Sequence, residues 1–264
     1  MFRSFATAIL CVPTLAFIPA VAQEADLTAD QIVAKHVQAL GGVDKIKAIQ
    51  TETITGKAVL MGGQMEAPIT MKVKRPSSMR MDMAVQGKSF VQAFDGTTAW
   101  TINPFMGGDD PQKSNDEETA QAKDDADMID GSLVDYKAKG NTVELVGKED
   151  VEGTSTYKLK VTKKSGTIEY EYLDAQTFLP ILSKSKRKAM GQEADIETSL
   201  SNFKPVNGVM MPFGISQKMN GTAMMELTIE KVDVNNPIDD SIFQMPAPPK
   251  KEEKKEEKKD TSKQ

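Results

Sequence analysis

The sequence predicts a mainly β chain: about eleven antiparallel strands, an N-terminal helix, and a helical insertion after the fifth strand. Three observations carry this. From about Thr51 to Asn103 apolar residues recur with period two, clearest in Ile69, Met71, Val73 and in Met79, Met81, Met83, Val85, with Lys72, Lys74, Arg80 and Asp82 between them. Successive residues of a strand face opposite ways, so one sheet face is apolar and the other wet. Gly62-Gly63, Arg75-Pro76, Gln86-Gly87 and Asp95-Gly96 cut this stretch at strand-length intervals. The 3.6-residue period of a helix is confined to the start of the chain and one mid-chain segment.

Residues 1–22 carry Arg3, an apolar run and a closing Ala20-Val21-Ala22, the small-x-small pattern of a cleaved secretory leader. Pro13 and Pro19 interrupt the run, which is short for a bilayer span. The single cysteine, Cys11, lies inside it behind Leu10, where a lipoprotein cleavage site needs a small residue. The mature chain therefore has no disulfide, no thiolate nucleophile and no cysteine ligand. Of 33 Lys+Arg and 38 Asp+Glu only Arg3 is in the leader, so the mature chain is acidic and nothing in it suggests a nucleic-acid partner. Residues 23–249, about 227 in all, fit one domain. The tail 250–264, KKEEKKEEKKDTSKQ, has no apolar residue and is expected to be a disordered Lys/Glu-rich extension.

Thr28 and Gln31 form a capping box that starts a helix running to about Leu40. Its apolar face is Ile32, Val33, His36, Val37 and Leu40, and Gly41-Gly42 ends it. The meander of five strands follows. Between Gly107 and Gly140 the strand pattern stops; Ser114 to Glu117 is a second capping box, and the acidic, Ala-rich stretch to about Asp130 reads as a weakly anchored helix. Strands resume at Val143–146, Tyr157–Val161, Ile168/Tyr170/Tyr172, Phe178–Ser183, Ile196–Phe203, Val209–Ile215 and Met224–Val232. Asn207-Gly208 is the strongest hairpin signal in the chain.

Catalytic signatures are missing. His36, the only histidine, sits on the apolar face of the first helix, where a structural role is expected, and no G-x-S-x-G, H-E-x-x-H, phosphate loop or dinucleotide fingerprint occurs. The expectation is a non-enzyme; paired carboxylates on strands, such as Glu169 and Glu171, are the one route by which chemistry survives, since their placement cannot be read from the sequence. The acidic runs at Asp109-Asp110, Asp124-Asp125, Asp127, Asp130 and Asp239-Asp240 lack the spacing of a calcium loop. No metal and no cofactor are expected. Methionine is the informative residue: 15 of 16 lie beyond the leader, and Met61, Met65, Met71, Met79, Met81 and Met83 crowd the first hairpins. Unbranched and polarizable, they suit either ordinary core filling or an apolar face that adapts to varied ligands; a curved sheet with one such face and only two modest helices to cover it leaves a cleft, and an acyl chain is a natural occupant.

At Val73-Lys74-Arg75-Pro76, at Phe94-Asp95-Gly96-Thr97-Thr98-Ala99-Trp100 and at Asn103-Pro104-Phe105 the sequence resembles the LolA-like outer-membrane lipoprotein carrier and sorting family; Ile242-Phe243-Gln244-Met245-Pro246 resembles that family's last strand. The resemblance spans about residues 24–249. It implies a half-open antiparallel β-barrel with an apolar concave face lidded by helices, and a periplasmic carrier that delivers lipoproteins or a related lipid toward the outer membrane. Lipid-binding candidates are Met71, Val73, Met79, Met81, Met83, Val85, Trp100 and Phe105, and Arg75 stands at the position that latches the lid. A guanidinium suits that role because its five donors engage several carbonyls at once. Replacing Arg75 by Leu is expected to keep the fold and block hand-over. Implied partners are acylated lipoproteins or lipids, an inner-membrane exporter and an outer-membrane acceptor, with the chain itself a monomer. The same architecture admits an alternative, a periplasmic sensor of lipoproteins or lipids with a regulatory role.

Overall fold

The computed structural model describes residues 27–106, 108–189 and 192–247. The expected leader, with Cys11, and the charged tail lie outside these residues. Among the described residues no helix is long and apolar enough to cross a membrane.

Helix α1 (Ala29–Ala39) starts on the Thr28/Gln31 capping box and a short α2 (Val43–Ala48) follows the Gly41-Gly42 break. Six strands then run in sequence: β1 (Thr51–Leu60), β2 (Met65–Lys74), β3 (Ser78–Val85), β4 (Lys88–Phe94), β5 (Ala99–Asn103) and β6 (Gly108–Lys113). Helix α3 (Asp116–Asp125) leads into a run of turns at 128–140. Beyond it lie β7 (Thr142–Val151), β8 (Thr154–Thr162), β9 (Ile168–Asp174), β10 (Pro180–Ala189), β11 (Gln192–Ser201), the short β12 (Lys204–Val206) and β13 (Val209–Met211), then β14 (Gly214–Met219) and β15 (Thr222–Val234).

Thirteen strands form one antiparallel sheet in the order β6-β5-β4-β3-β2-β1-β15-β14-β11-β10-β9-β8-β7. Its centre is the β1–β15 pair, which joins the two ends of the domain (Glu52↔Val234 to Leu60↔Met225). The sheet does not close, because β6 and β7 are its free edges. It does curl. Arg75 at the end of β2 and Glu171 on β9 are six strand spacings apart, about 29 Å on a flat sheet, yet Asp130 and Ser132, two residues apart, bond to one and the other. The concavity thus formed holds α1, α2, α3, the 128–140 turns and the β12–β13 hairpin.

Strand number and the place of the insertion depart from expectation: fifteen strands, with the helix after the sixth. Strand β6 (GDDPQK) carries no apolar alternation and is exposed except at the half-buried Pro111; it is a strand because its backbone pairs with β5, which no side-chain pattern announces. The second capping box is set one residue later than expected, Asn115 with Glu118. The closing segment is not a strand. It forms a single 3₁₀ turn (Asp240–Ile242) and lies across the outer face, where Phe243 is buried and its carbonyl accepts from Trp100 Nε1 at 2.7 Å. Lys74 and Arg80 donate to the carbonyls of Ile238 and Ile242. Hydrogen bonds to side chains, rather than to a sheet edge, satisfy this backbone.

Candidate functional site

Cross-strand register settles which residues share the inner face. Val73 lies opposite Met79, Met71 opposite Met81, and Ile69 opposite Met83, while Ile54 and Ala58 of β1 pair with Met71 and Ala67. Val73, Met79, Met83 and Val85 are buried, and Met71 and Met81 are half-buried. The predicted methionine column is therefore one contiguous apolar surface. It is filled rather than hollow. Val206, Met211 and Phe213, on and beside the β12–β13 hairpin, pack against it. The hairpin turns at Asn207-Gly208, both at positive φ, as the sequence signal requires. Its Val209 in turn packs on Ile46 and Ile49 of the α2 corner, with Val134 from the turn segment.

Two predicted lipid-binding residues fall elsewhere. Trp100 pairs with Ala93, and Ala93 with Arg80, so its register puts it on the outer face, where Val91, Ala93, Ile102 and Met245 pack with it and the Phe243 carbonyl accepts from its indole. Strand parity is the reason: Ala99, not Trp100, points inward beside Phe94. Phe105 lies in the turn after β5, half exposed, with Lys88 over its ring.

Arg75 follows β2, and its guanidinium reaches inward to three groups at once. Nε donates to the Ile49 carbonyl (2.7 Å) and Nη2 to that of Ile46 (3.2 Å), at the end of α2. Nη1 and Nη2 make a two-pronged pair with the Asp130 carboxylate (2.9 and 2.6 Å). Lys47 also donates to Asp130, at 2.8 Å. Burial alone would raise the Asp130 carboxyl, but the hydrogen bonds from Arg75 and Lys47 outweigh it and hold the group down at about 2. Arg75 thus ties the α2 corner and the turn segment to the rim of the apolar face. Beside it, Glu52 is buried on the inner face of β1, and that burial lifts its carboxyl to about 7 against the pull of Arg75.

Toward β9 and β10 the inner face turns polar. A cavity of about 620 Å³ opens between the sheet and the turn segment; of the nine candidate residues only Arg75 lines it. On one side stand Glu169, Glu171 and Arg187 of the sheet with Lys163 and Lys164 of the β8–β9 turn; facing them are Asp124, Asp125, Asp127 and Asp130 with Lys123 and Lys139. Arg187 bridges to Asp125 at 2.8 Å and Lys163 to Glu169 at 3.3 Å. Glu171 accepts from Ser132 Oγ at 3.3 Å. Burial, helped by the charge of Glu169, pushes its carboxyl up to about 8. Both strand carboxylates therefore face inward side by side, which the sequence left open. His36 is buried with Nδ1 at 2.9 Å from the Phe178 carbonyl, and burial lowers its pKa: a structural histidine, as expected.

Sequence reasoning missed Asp130, Lys47, Lys163 and Arg187, which are 55, 28, 88 and 112 residues from Arg75 and carry no local signal. Glu52 had one: it shares strand parity with Ile54 and Ala58, an acid on the apolar side of an alternating strand.

No protein-family model and no curated protein matches the sequence. Solved structures do. A LolA superfamily protein from Nitrosomonas europaea superposes with a TM-score of 0.53 at 12% identity, covering 83% of this chain and 98% of the other. A DUF1329 family protein from Desulfovibrio piger gives 0.55 at 13%, over 82% and 97%. A domain from Vibrio parahaemolyticus assigned to outer membrane lipoprotein sorting gives 0.50 at 12%, over 76% and 93%. The chain has a LolA-like fold, mainly β with few helices around one large open antiparallel sheet.

Proposed function

We propose that this LolA-like chain is a periplasmic carrier, exported by its leader, that takes up acyl chains of lipoproteins or of a related lipid against the inner methionine face and delivers them toward the outer membrane. The observation that carries the reading is the Arg75 tie. One polar residue holds both the α2 corner and the turn segment; these pack on the β12–β13 hairpin, and the hairpin covers the adaptable apolar surface. An acyl chain entering there replaces Val206, Met211 and Phe213 with apolar contacts of the same kind, so the exchange costs little beyond the hydrogen bonds of Arg75. The gain, about 0.8 kcal/mol for each CH₂ removed from water, favours the loaded form. Reclosure of the tie favours release. In this reading α2, the turn segment and α3 act as the lid, and α3, with no buried residue, is its loosest part. Loading and unloading assign an inner-membrane exporter and an outer-membrane acceptor as partners of a monomer. The binding surface is Met71, Val73, Met79, Met81, Met83 and Val85; Trp100 is excluded by its face, and Phe105 is at most a rim contact.

The test is native mass spectrometry of the mature chain with a diacylated lipopeptide. A one-to-one complex is expected, weakened at least tenfold by Met81→Lys, with Met71→Lys as the independent second variant. A wild-type chain that stays free, or variants that bind as well as wild type, would overturn the reading. Arg75→Leu is expected to load normally and to release its cargo more slowly, because the closed form has lost its tie; release at the wild-type rate would remove the latch role.

A further inference from the structure

The polar cavity is a half-open space lined by charged groups, and the binding of acyl chains alone makes no use of it. Its volume of about 620 Å³ lies within the range of small-ligand sites. Both of its sides carry both signs: Asp124, Asp125, Asp127 and Asp130 stand with Lys123 and Lys139, and across from them Lys163, Lys164 and Arg187 stand with Glu169 and Glu171. The walls are some way toward neutral as a whole, so a ligand of large net charge gains little, whereas one that carries both signs finds a counterpart for each. Arg187 and Lys163 are mostly buried, and each already holds a carboxylate, Asp125 and Glu169, so both cations are placed to take an anionic group of a ligand beside or instead of that partner. Arg75 lines the same cavity and ends the strand that carries Met71 and Val73, which places the polar chamber next to the apolar face.

We propose that the cavity binds a zwitterionic ammonium-phosphate group, the ammonium against Asp124 and Asp125 and the phosphate against Lys163 and Arg187, as the head of an amphiphile whose chains lie on the methionine face. Glu171 assists: its burial beside Glu169 favours the protonated form, in which it offers the phosphate an O–H donor instead of a second negative charge. The lipid form of this ligand rests on the carrier reading above; the chemistry of the head does not.

Isothermal titration of the mature chain at pH 7 separates the two. The probes are dioctanoyl phosphatidylethanolamine, dioctanoyl phosphatidylglycerol, dioctanoylglycerol and free phosphoethanolamine. The ethanolamine lipid is expected to bind at least tenfold tighter than the other two lipids. Arg187→Gln and Asp125→Asn, on different elements, should each remove that preference and leave dioctanoylglycerol binding unchanged. Free phosphoethanolamine that binds as tightly as the lipid, and is lost in both variants, keeps the site and assigns it to a soluble zwitterion. Equal affinity for the three lipids overturns the head site and leaves the acyl site standing; lipid preference that survives both variants overturns it as well. Absence of binding by all three lipids overturns the carrier reading.

Discussion

Three carboxyl groups on the inner face titrate far from their ordinary range, and in opposite directions. Glu171 and Glu52 are lifted to about 8 and about 7 by burial, so the folded chain keeps protons that the unfolded chain releases. Their contribution to stability is fully present below the usual glutamate range and is lost as pH rises through those values. Asp130, held at about 2 by Arg75 and Lys47 against its burial, works the other way: its contribution is present above the ordinary aspartate range and lost as pH falls toward 2. Glu171→Gln mimics the protonated acid. Urea unfolding at pH 5, 6.5 and 8 should therefore show a flatter pH dependence in the variant than in wild type, and parallel curves would contradict the assignment. Asp130→Asn leaves Arg75 with only the two α2 carbonyls and is expected to cost about 3 kcal/mol at pH 7, the scale of a broken buried pair, read from the urea midpoint. Arg75 was recognisable beforehand as a residue of interest, because its motif is local. Asp130 was not, because a partner 55 positions away is chosen by the path of the chain.

Among elements, those with their own punctuation were legible and those defined by a partner were not. Helix α1 begins and ends where Thr28, Gln31 and Gly41-Gly42 say it should, and the Asn207-Gly208 hairpin turns at the expected residues. What the hairpin does was hidden: it stands apart from the main sheet and plugs the apolar face. Gly41 is where it meets the helical corner. A Cβ there would lie 2.2 Å from the Gly208 carbonyl oxygen, with φ at +119°, whereas Gly62 has a positive φ and open space around it. Gly41→Ala should thus cost well over 2 kcal/mol, and Gly62→Ala only about 1, a difference measurable in thermal melts; equal costs would mean that the hairpin does not press on this corner. Edge strand β6 and the outer-face strap at Asp240–Ile242 illustrate the converse. Strand β6 has no pattern of its own, and the motif at Ile242–Pro246 does not announce a turn; each takes its form because a neighbour supplies the pairing or a bond.

At the scale of the molecule the open sheet has two working faces. The inner one carries an apolar region under the hairpin, a second under α1, where Ile32 and Val33 meet Leu159, Val161 and Leu173, and a charged cavity; the outer one carries the only tryptophan, bonded to the Phe243 carbonyl. Trp100 is thus a reporter of the strap and not of cargo. Phe243→Ala is expected to red-shift its emission and destabilise the chain by about 3–5 kcal/mol, the cost of a large-to-small change in a packed site. A bound acyl chain should leave the emission unchanged, and a ligand-induced shift would put the cargo on the outer face. The sequence by itself determined that the chain is mainly β, where most turns fall, that a methionine face exists and that Arg75 ends one of its strands. These are properties of nearest neighbours and of periods two and 3.6, which short stretches of chain encode. Only the tertiary structure decided that β1 pairs with β15, that Trp100 faces away, that the hairpin fills the apolar face and that residues six strand spacings apart close on one cavity beside Arg75. Those outcomes depend on long-range pairing and sheet curl, in which the whole chain chooses among registers that each segment alone leaves equal.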